Sequence, residues 1–566
     1  MAKIYRVNVK TKTIVQEELK EKYLLLGGRS LISKVLADEV DPTCDPLGAG
    51  NKLIFCTSLL AGTSVLAAHR LSVGGKSPLT GGIKESNSGG TAAAYLARHN
   101  IKAIIFEDLP GSDGWFLLKV GKDGIPELIP ADEYVGLNNY ALVEKLKERY
   151  GKAISIISIG KAGEMQYRNS ALHNLDFSTG YPVRANARGG MGAVMGSKKI
   201  KAVVIERSPK AHEFQYADKE RYEAARKKFF DVAVNNEGMS WLREVGTPAL
   251  VDVTGSTAIM PFRNFSGGFN DNLDSIGAEQ FLNKIKAGGG KIGEPCQAGC
   301  AIHCSCLYND ASGEYLTAGL EYETIALCGS NCAVADLDII ARIDRLCDDL
   351  GLDTIETGTT IAVCMEAGKI PWGDGEAAIG LIKEMDAGTE FGRILGQGTL
   401  AAGKALKVKR IPVVKGQAIS GYEPRNLKGT GVTFATSPMG ADHTAGLTLE
   451  ASLDPLDPAG QADVSSMLQP VIAAADSLMC MFAWFSAASP ETIPELMAGI
   501  YGGEWDFDKV IDIGRQSVLR EKAFNVAAGF KPEDDRLPEF FAMEKAPATG
   551  AVFDVNPTEL DGVLNY

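Results

Sequence analysis

The sequence contains neither an excess of basic residues nor a long apolar run. Its 58 lysines and arginines are outnumbered by 71 aspartates and glutamates, and the formal charge at neutral pH is −13. Nucleic acids are therefore excluded as partners, because binding to phosphates requires a basic face. No apolar run reaches the about 20 residues of a membrane-spanning helix, so no membrane span is expected. The first residues also lack the apolar core of a signal peptide, which predicts a cytoplasmic protein in a reducing compartment.

With 566 residues, of which 45% are hydrophobic, the chain is too long for one hydrophobic core. Short apolar runs of strand type fill the first 208 residues. Helical periodicity then dominates, for example over 390–407 and 465–475. We therefore predict an α+β fold. The predicted domains are a β-rich N-terminal domain over 1–208 and two mainly helical domains over 209–415 and 416–566.

Four of the eleven cysteines lie within one short stretch, at positions 296, 300, 304 and 306. A chain without secretory features has little reason to concentrate thiols unless they bind a metal. Cys296, Cys300 and Cys304 are spaced so that a helical turn or a coiled loop brings their sulfur atoms to one side. This pattern is typical of most of an iron–sulfur ligand set, with the last ligand supplied from far along the chain.

Zinc is the main alternative metal, but four-thiolate zinc sites normally have two Cys-x-x-Cys pairs, which are absent here. Cys480 is the outstanding candidate among the remaining cysteines, since it follows Asp476-Ser-Leu-Met. Cys306 is either a further ligand or a bystander. The other six cysteines have apolar neighbours, where a buried thiol is the common interpretation.

The segment Asp348-Asp-Leu-Gly-Leu-Asp353 predicts a corner between two helices. Gly351 suits the left-handed position after a helix, and Asp353 or Thr354 suits the N-cap of the next helix. An ordinary structural corner is one interpretation. In the other, its carboxylates accept paired hydrogen bonds from the edge of a guanidine-like heterocycle such as a pterin.

Two glycine-rich segments are candidates for phosphate binding. Arg70 and the turn Ser86-Asn-Ser-Gly-Gly90 offer a cation and free backbone N–H groups at the start of a predicted helix, which suits phosphate. The stretch from Gly189 to Lys198 resembles a P-loop only superficially, because Ser197 rather than a lysine follows Gly196. A P-loop nucleotide triphosphatase is therefore disfavoured.

Glu323 and His443 are the candidate acid–base groups. They lie in the loop-like segments Glu321-Tyr-Glu-Thr and Gly440-Ala-Asp-His, and His443 is one of only six histidines. Carboxylates and imidazoles are the usual proton-transfer groups of enzymes. The alternative for His443 is a structural histidine without a role in chemistry.

Taken together, these segments resemble the tungsten-dependent aldehyde:ferredoxin oxidoreductase family over nearly the whole chain. The matching segments include Lys76-Ser-Pro-Leu-Thr-Gly81, Ser86-Asn-Ser-Gly-Gly90, Ile159-Gly-Lys-Ala-Gly-Glu164, Arg188-Gly-Gly-Met-Gly-Ala193, Asp348-x-x-Gly-Leu-Asp353 and Thr436-Ser-Pro-Met-Gly-Ala-Asp-His443. The resemblance implies that the β-rich domain forms the base under two molybdopterins and that the helical domains close over them. It also implies a tungsten or molybdenum atom bound by the pterin sulfurs, a magnesium ion bridging the pterin phosphates, and a [4Fe-4S] cluster.

The resemblance also implies a role for particular residues. The implied pterin or phosphate contacts are Arg70, Asn87, Gly89, Asp348, Gly351, Leu352, Asp353 and Asp476. The implied cluster ligands are Cys296, Cys300, Cys304 and Cys480, and the implied catalytic pair is Glu323 and His443.

The implied reaction is oxidation of an aldehyde to its carboxylic acid, with electrons passed through the cluster to ferredoxin or to an iron–sulfur subunit. The implied assembly is a homodimer or a hetero-oligomer. Two alternatives remain. One is the catalytic subunit of a complex of the benzoyl-CoA reductase type, and the other is a non-catalytic iron–sulfur or zinc protein.

Overall fold

The computed structural model describes residues 2–111 and 113–565 and has the predicted α+β fold. The N-terminal part is built on two six-stranded sheets. The first has the strand order β2-β1-β6-β3-β4-β5, and the second has the order β11-β10-β9-β12-β7-β8. The strands of the first sheet are β1 (Lys3–Asn8), β2 (Thr13–Glu18), β3 (Leu53–Thr57), β4 (Leu71–Lys76), β5 (Ile83–Ser88) and β6 (Ile101–Glu107). Those of the second are β7 (Phe116–Val120), β8 (Pro126–Pro130), β9 (Ile154–Ser158), β10 (Leu172–Asn174), β11 (Arg184–Asn186) and β12 (Ile200–Glu206).

The two sheets share one apolar core. Alternate side chains of each sheet, such as Val7 and Phe55 from the first and Leu118 and Val203 from the second, are buried in the same cluster. Five helices surround the sheets: α1 (Gly28–Glu39), α2 (Ala92–Arg98), α3 (Asn139–Tyr150), α4 (Lys161–Glu164) and α5 (Met191–Ser197).

The glycine-rich stretch before Lys198 serves close backbone packing. A Cβ atom on Gly196 of α5 would lie 1.9 Å from the carbonyl oxygen of Gly163 in α4. Only glycine permits the two helices to approach this closely. The glycines there are thus explained without a bound phosphate.

The C-terminal part is mostly helical, with two small sheets. Its helices are α6 (Lys219–Val234), α7 (Trp241–Glu244), α8 (Leu250–Ser256), α9 (Ala278–Ala287), α10 (Tyr322–Thr324), α11 (Leu337–Leu350), α12 (Thr354–Glu366), α13 (Gly375–Ala387), α14 (Glu390–Gly396), α15 (Thr399–Leu406), α16 (Lys428–Thr436), α17 (Gln461–Leu478), α18 (Met481–Ala487), α19 (Ile493–Tyr501), α20 (Phe507–Ala527), α21 (Phe540–Met543) and α22 (Pro557–Gly562). The small sheets are β13 (Lys291–Glu294) with β14 (Ser305–Asn309) and β15 (Tyr315–Ala318), and β16 (Val413–Val414) with β17 (Gln417–Ala418).

Two helix predictions need correction. The single helix expected over 390–407 is divided into α14 and α15, because Gly398 has a φ of +90° and serves as the N-cap of α15. The helix expected over 465–475 is longer, since α17 continues through Pro470. Packing against α20 supports this continuation: a Cβ atom on Gly514 would lie 2.0 Å from the Pro470 carbonyl oxygen.

The corner between α11 and α12 forms as predicted. Gly351 has a φ of +83° and ends α11, and the Asp353 side chain accepts a hydrogen bond from the N–H of Ile355 at the start of α12. The corner is attached to the second sheet by backbone hydrogen bonds from Ala171 to Gly351 and from Asp353 to Asn169. The two parts of the chain therefore meet at this corner.

No single helix in the described ranges is long and apolar enough to cross a membrane; two sharply bent helix pairs satisfy that test by length and composition alone.

The buried Arg29–Glu521 ion pair should contribute strongly to stability. Arg29 of α1 donates two hydrogen bonds, of 2.9 and 2.7 Å, to the Glu521 carboxylate of α20. Removing one partner of a buried pair leaves an uncompensated charge and costs about 3–5 kcal/mol. We expect Arg29→Met to lower the urea midpoint of unfolding clearly. The control is Arg221→Met, which breaks an equally bidentate but solvent-exposed pair with Glu495 and should have little effect. Equal shifts for the two variants would contradict this role for Arg29.

Candidate functional site

Two adjoining cavities lie between the β-rich part and the helical part. Their volumes are about 350 and 330 Å³. Arg70, Asn87, Arg184, Glu323 and His443 line both of them. Clefts of this size between structural units are the usual place for ligands. The two cavities are therefore the candidate functional site.

The β4–β5 hairpin places three of the predicted residues at one end of the first sheet. Leu71 pairs with Ser88 in the antiparallel register, so Arg70 and Gly89 are neighbours just beyond the strands. The Arg70 guanidinium donates a hydrogen bond of 2.5 Å to the Asn87 side chain. A Cβ atom on Gly89 would lie 2.9 Å from the sulfur of Cys296, so only glycine lets the cysteine loop approach this closely.

Cys296, Cys300 and Cys304 lie in the loop between β13 and β14, not in a helix. This corresponds to the coiled-loop alternative of the sequence prediction. Cys296 is attached to the first sheet, because the N–H of Gly90 donates to its carbonyl oxygen over 2.9 Å. Cys306 is the second residue of the next strand and is buried outside the loop.

Cys480 reaches the same loop from almost 200 positions further along the chain. Ala67 joins the two: its N–H donates to the Gly299 carbonyl over 3.1 Å, and its carbonyl accepts the N–H of Cys480 at 3.0 Å. Ala67 has a φ of +52°, a left-handed conformation that directs both groups to these partners. The structure therefore brings Cys480 next to the three-cysteine loop.

The four thiols influence one another electrostatically. A hydrogen bond with Cys300, opposed by burial and supported by Arg184 and Arg70, lowers the pKa of Cys296. The pKa of Cys304 is raised by burial and by neighbouring negative groups, including Cys480. Within the described residues, no three cysteine, histidine or acidic side chains converge closely enough to hold a single metal ion.

The α11–α12 corner forms one wall of the 330 Å³ cavity, with Asp348, Leu352 and Asp353 in its lining. Burial raises the pKa of Asp348 well above its usual value, with Arg184 and Arg345 opposing the shift. One oxygen of Asp348 lies 3.2 Å from the Nε2 atom of His173, and its other oxygen has no hydrogen-bond partner. A buried carboxylate oxygen without a partner is costly unless a ligand supplies the missing donor.

Asp476 lies in the opposite wall, in the lining of the 350 Å³ cavity. Its carboxylate is 3.6 Å from the Arg29 guanidinium, the same arginine that pairs with Glu521. Glu85 faces the same cavity, and burial together with the nearby Asp476 raises the pKa of Glu85. One oxygen of Glu85 also has no hydrogen-bond partner.

Glu323 and His443 meet between the two cavities, although 120 positions separate them in the chain. The Nδ1 atom of His443 lies 3.2 Å from the Oε1 atom of Glu323, and neither atom has a well-oriented hydrogen-bond partner. The other oxygen of Glu323 accepts the N–H of Gly421 at 2.8 Å. Burial raises the pKa of Glu323, and the His443 charge only partly offsets this effect. Glu323 is followed by a π-helical turn over Ile325–Gly329, a feature often found at functional sites.

The sequence indicated no role for several charged residues of the site, among them Lys84, Arg188 and Asp442. The ammonium of Lys84 lies 2.6 Å from the Asp442 carboxylate, and Arg188 reaches both Asp442 and Asp353, at 3.6 and 3.4 Å. Burial would raise the pKa of Asp442, but Lys84 and Arg188 hold it well below its ordinary value. Arg188 and Asp442 do occur in the matching sequence segments, but nothing in those segments indicates that they pair.

The residues present fit the cofactors that the resemblance implies. Unpartnered oxygens of Asp348 and Glu85 face the two cavities and can accept hydrogen bonds from a heterocycle. Arg70 and Arg184 supply positive charge for phosphates or for a cluster held by thiolates. Gly89 leaves room where a Cβ atom would meet Cys296.

Comparison with protein families gives two matches that together cover most of the chain. The family model described as the aldehyde ferredoxin oxidoreductase N-terminal domain matches residues 4–207. The model described as aldehyde ferredoxin oxidoreductase domains 2 and 3 matches residues 224–565.

Characterised relatives agree with these matches. The chain is 31% identical to the tungsten-containing aldehyde ferredoxin oxidoreductase of Pyrococcus furiosus, covering 96% of this chain and 91% of that protein. The corresponding figures for the Pyrococcus horikoshii protein of the same name are 32%, 96% and 92%. This chain is also 28% identical to a P. furiosus protein named aliphatic sulfonate oxidoreductase, WOR-like subunit. The match covers 79% of this chain and 74% of that protein.

Among solved structures, the active-site complex BamBC of benzoyl coenzyme A reductase, in complex with 1,5-dienoyl-CoA, has a similar fold. The TM-score is 0.81 at 19% identity, covering 99% of this chain and 93% of that chain. At this identity the likeness concerns the fold alone.

The Lys84–Asp442 pair should make stability depend on pH. Because the pKa of Asp442 is depressed in the folded state, the pair stabilises the fold above the ordinary Asp pKa of about 3.9 and loses its contribution as the pH falls below that value. We expect Lys84→Met to cost about 3–5 kcal/mol at pH 7. The cost should shrink towards pH 4, because Asp442, left with Arg188 but without Lys84, takes up a proton more readily.

Thermal unfolding between pH 4 and pH 8 measures this difference. Lys199→Met is the control, since it removes a surface ion pair with the fully exposed Asp113 and should change little at any pH. A loss of stability in Lys84→Met that did not vary with pH would contradict the ion-pair explanation.

Proposed function

The chain belongs to the aldehyde ferredoxin oxidoreductase family, and on that premise we propose that it oxidises an aldehyde to its carboxylic acid. Water supplies the added oxygen, and two electrons and two protons leave the substrate. The observation that carries this proposal is the partly buried Glu323–His443 pair, which lies in the cavity lining together with three of the four cysteines of the site.

The cofactor in this proposal is a tungsten or molybdenum atom held by two pterins, as in the tungsten-containing relatives. Asp348, Gly351, Leu352 and Asp353 would hold one pterin, and Asp476 would hold the other. Arg70, Asn87 and Gly89 would contact the pterins or their phosphates, and a Mg²⁺ ion would accompany those phosphates. When bound, the metal–pterin group accepts the two electrons, and a [4Fe-4S] cluster passes them on singly.

Glu323 serves as the proton acceptor in the proposed reaction. Its Oε1 atom has no hydrogen-bond partner and is free to take the proton that water loses on adding to the carbonyl carbon. The Gly421 N–H fixes its other oxygen, which keeps the carboxylate aimed at the cavity. His443 faces Glu323 through Nδ1, and in its imidazolium form, which has a proton on each ring nitrogen, the Nε2 atom donates a hydrogen bond to the aldehyde oxygen.

The lining of the 350 Å³ cavity, which contains this pair, favours an aldehyde with an apolar tail as the substrate. Apolar or aromatic side chains form this part of the wall; they are Leu250, Tyr322, Tyr422, Leu447 and Phe482. A tail held by burial of apolar surface would leave the aldehyde group at Glu323 and His443.

The four thiols provide the route for electrons in the proposal. Cys296 and Cys480 are buried, whereas Cys300 and Cys304 are partly exposed. These four thiols would hold a [4Fe-4S] cluster, which would pass electrons from the cavity towards the partly exposed cysteines. The electron acceptor is then ferredoxin or an iron–sulfur subunit that docks near Cys300.

Replacement of the proposed base should separate chemistry from cofactor binding. We expect Glu323→Gln to keep the iron, tungsten and pterin content of the parent and to lose about 10²–10⁴-fold in aldehyde oxidation, because the amide cannot accept the proton. Dye-coupled assays with a panel of aldehydes measure this loss. In the parent, activity should fall as the pH drops through the Glu323 pKa, which burial raises above the ordinary value of about 4.3.

The control is Glu366→Gln, since burial also raises the pKa of Glu366, but this residue pairs with Asn264 and does not line the site. Normal aldehyde oxidation by Glu323→Gln would refute the assignment. Reduction of an aromatic CoA thioester by a protein that oxidises no aldehyde would support the alternative function, for which the fold of the benzoyl coenzyme A reductase complex provides a precedent.

The cluster assignment is tested by composition. We expect replacement of any one of the four cysteines by serine, with Cys480→Ser the most informative, to reduce iron and acid-labile sulfide in the anaerobically purified protein. Cys306→Ala is the matched control, because this buried thiol adjoins the loop without belonging to the set. An unchanged iron content in Cys480→Ser would show that another residue completes the set.

A further inference from the structure

A further cavity, separate from the two of the candidate site, is lined by the end of β3 and the residues that follow it. Its volume is about 260 Å³. Much of its wall is apolar, with Leu24, Leu59, Ile101 and Phe214 among the lining residues. None of the described lining residues is an aspartate or a glutamate. The absence of acidic groups is notable in a chain whose formal charge is −13.

Lys102 of β6 lines this cavity and has a buried side chain. The residue is only 8% exposed, and its Nζ atom donates a hydrogen bond of 3.2 Å to the Ser58 carbonyl. In the described part of the chain no carboxylate pairs with it, and the Cys56 thiol is the one group that favours its charged form. Burial lowers the pKa of Lys102 to about 8. An ammonium has three donors, so two remain for a ligand.

The other polar residues of the described wall are Thr57, Asn100, His212, Gln215 and Tyr501. Burial, together with the nearby Lys3, lowers the pKa of His212, which favours its neutral form. The Tyr501 hydroxyl already donates to the Leu59 carbonyl, at 3.0 Å. The Thr57 hydroxyl faces the Lys102 carbonyl at 3.5 Å. In the described wall, Lys102 therefore supplies the buried positive charge, beside apolar side chains such as Leu59, Ile101 and Phe214. A ligand that matches both has a single negative charge and a hydrocarbon tail.

We propose that this cavity is a binding site for a small monocarboxylate with an apolar tail, held by an ion pair with Lys102 and by contact with Leu59, Ile101 and Phe214. A buried ammonium without a carboxylate partner is costly, and the ligand supplies that partner. A phosphate dianion is a poorer match, because it has a second negative charge and no apolar tail, whereas the described wall has one buried ammonium and much apolar surface.

The position of this site connects it to the candidate active site. Leu59 forms part of the cavity wall, and its N–H donates to the Ser477 carbonyl over 2.7 Å. Ser477 follows Asp476, which lines the 350 Å³ cavity. A bound carboxylate thus lies directly behind the backbone that supports Asp476. The proposal rests on the walls of this further cavity and not on the reaction proposed above.

Calorimetric titration of the purified holoenzyme with butyrate tests the proposal. We expect saturable binding that Lys102→Met weakens at least tenfold. Ala97→Phe should weaken it similarly, because Ala97 lines the cavity and the added ring fills it while leaving the lysine in place. One variant removes the charge and the other fills the cavity, so the proposal can be tested even if one of them fails to fold. Thermal unfolding shows whether each variant is folded.

The controls separate charge, tail and general effects of removing a buried lysine. Lys198→Met removes another buried ammonium, one that donates to the Asn51 and Asp108 carbonyls and lies outside this cavity, and it should bind butyrate as the parent does. Butanol, with the same tail and no charge, and inorganic phosphate should each bind at least tenfold more weakly than butyrate. Equal butyrate affinity in the parent and in folded Lys102→Met would overturn the proposal, as would equal affinity for butyrate and phosphate.

Discussion

The site depends on charge buried between the sheets and the helices. Arg188 of the β-rich part contacts Asp353 and Asp442 of the helical part, and Lys84 of β5 pairs with the same Asp442. Charges removed from water in this way are tolerated only when the partners are held in place. The two parts of the chain must therefore dock in one arrangement, and that arrangement creates the cavities.

Some of the carboxylates that line the cavities are only partly compensated by positive charge. Asp442 has two cationic neighbours and a lowered pKa, whereas Glu323 and Asp348 have less compensation and raised pKa values. Unpaired oxygens of these two carboxylates remain. The same interface thus contains carboxylates that hold the structure together and carboxylates that are available to a ligand or to a proton. Their surroundings, not their residue type, distinguish the two groups.

Much of the fold follows from local sequence. The strand-rich first part, the helix-rich second part and the Gly351 corner were predicted from apolar patterns and capping residues. The errors concern places where neighbours override local preference. The helix expected over 390–407 is interrupted at Gly398. In contrast, α17 continues through Pro470, because α20 packs closely against it. Contacts of this kind cannot be read from a single segment.

The sequence by itself determined the family, the α+β fold and the residue types available for chemistry, because the spacing of cysteines, glycines and carboxylates is a local property. Only the tertiary structure decided which of those residues meet. Ala67 joins Cys480 to the three-cysteine loop, Glu323 faces His443, and Lys84 and Arg188 find Asp442. The same holds for Lys102, an unremarkable residue of a strand until the fold leaves its ammonium buried beside a cavity without a carboxylate. Desolvation is the physical reason, since the cost of burying a charge depends on neighbours that are distant in the chain.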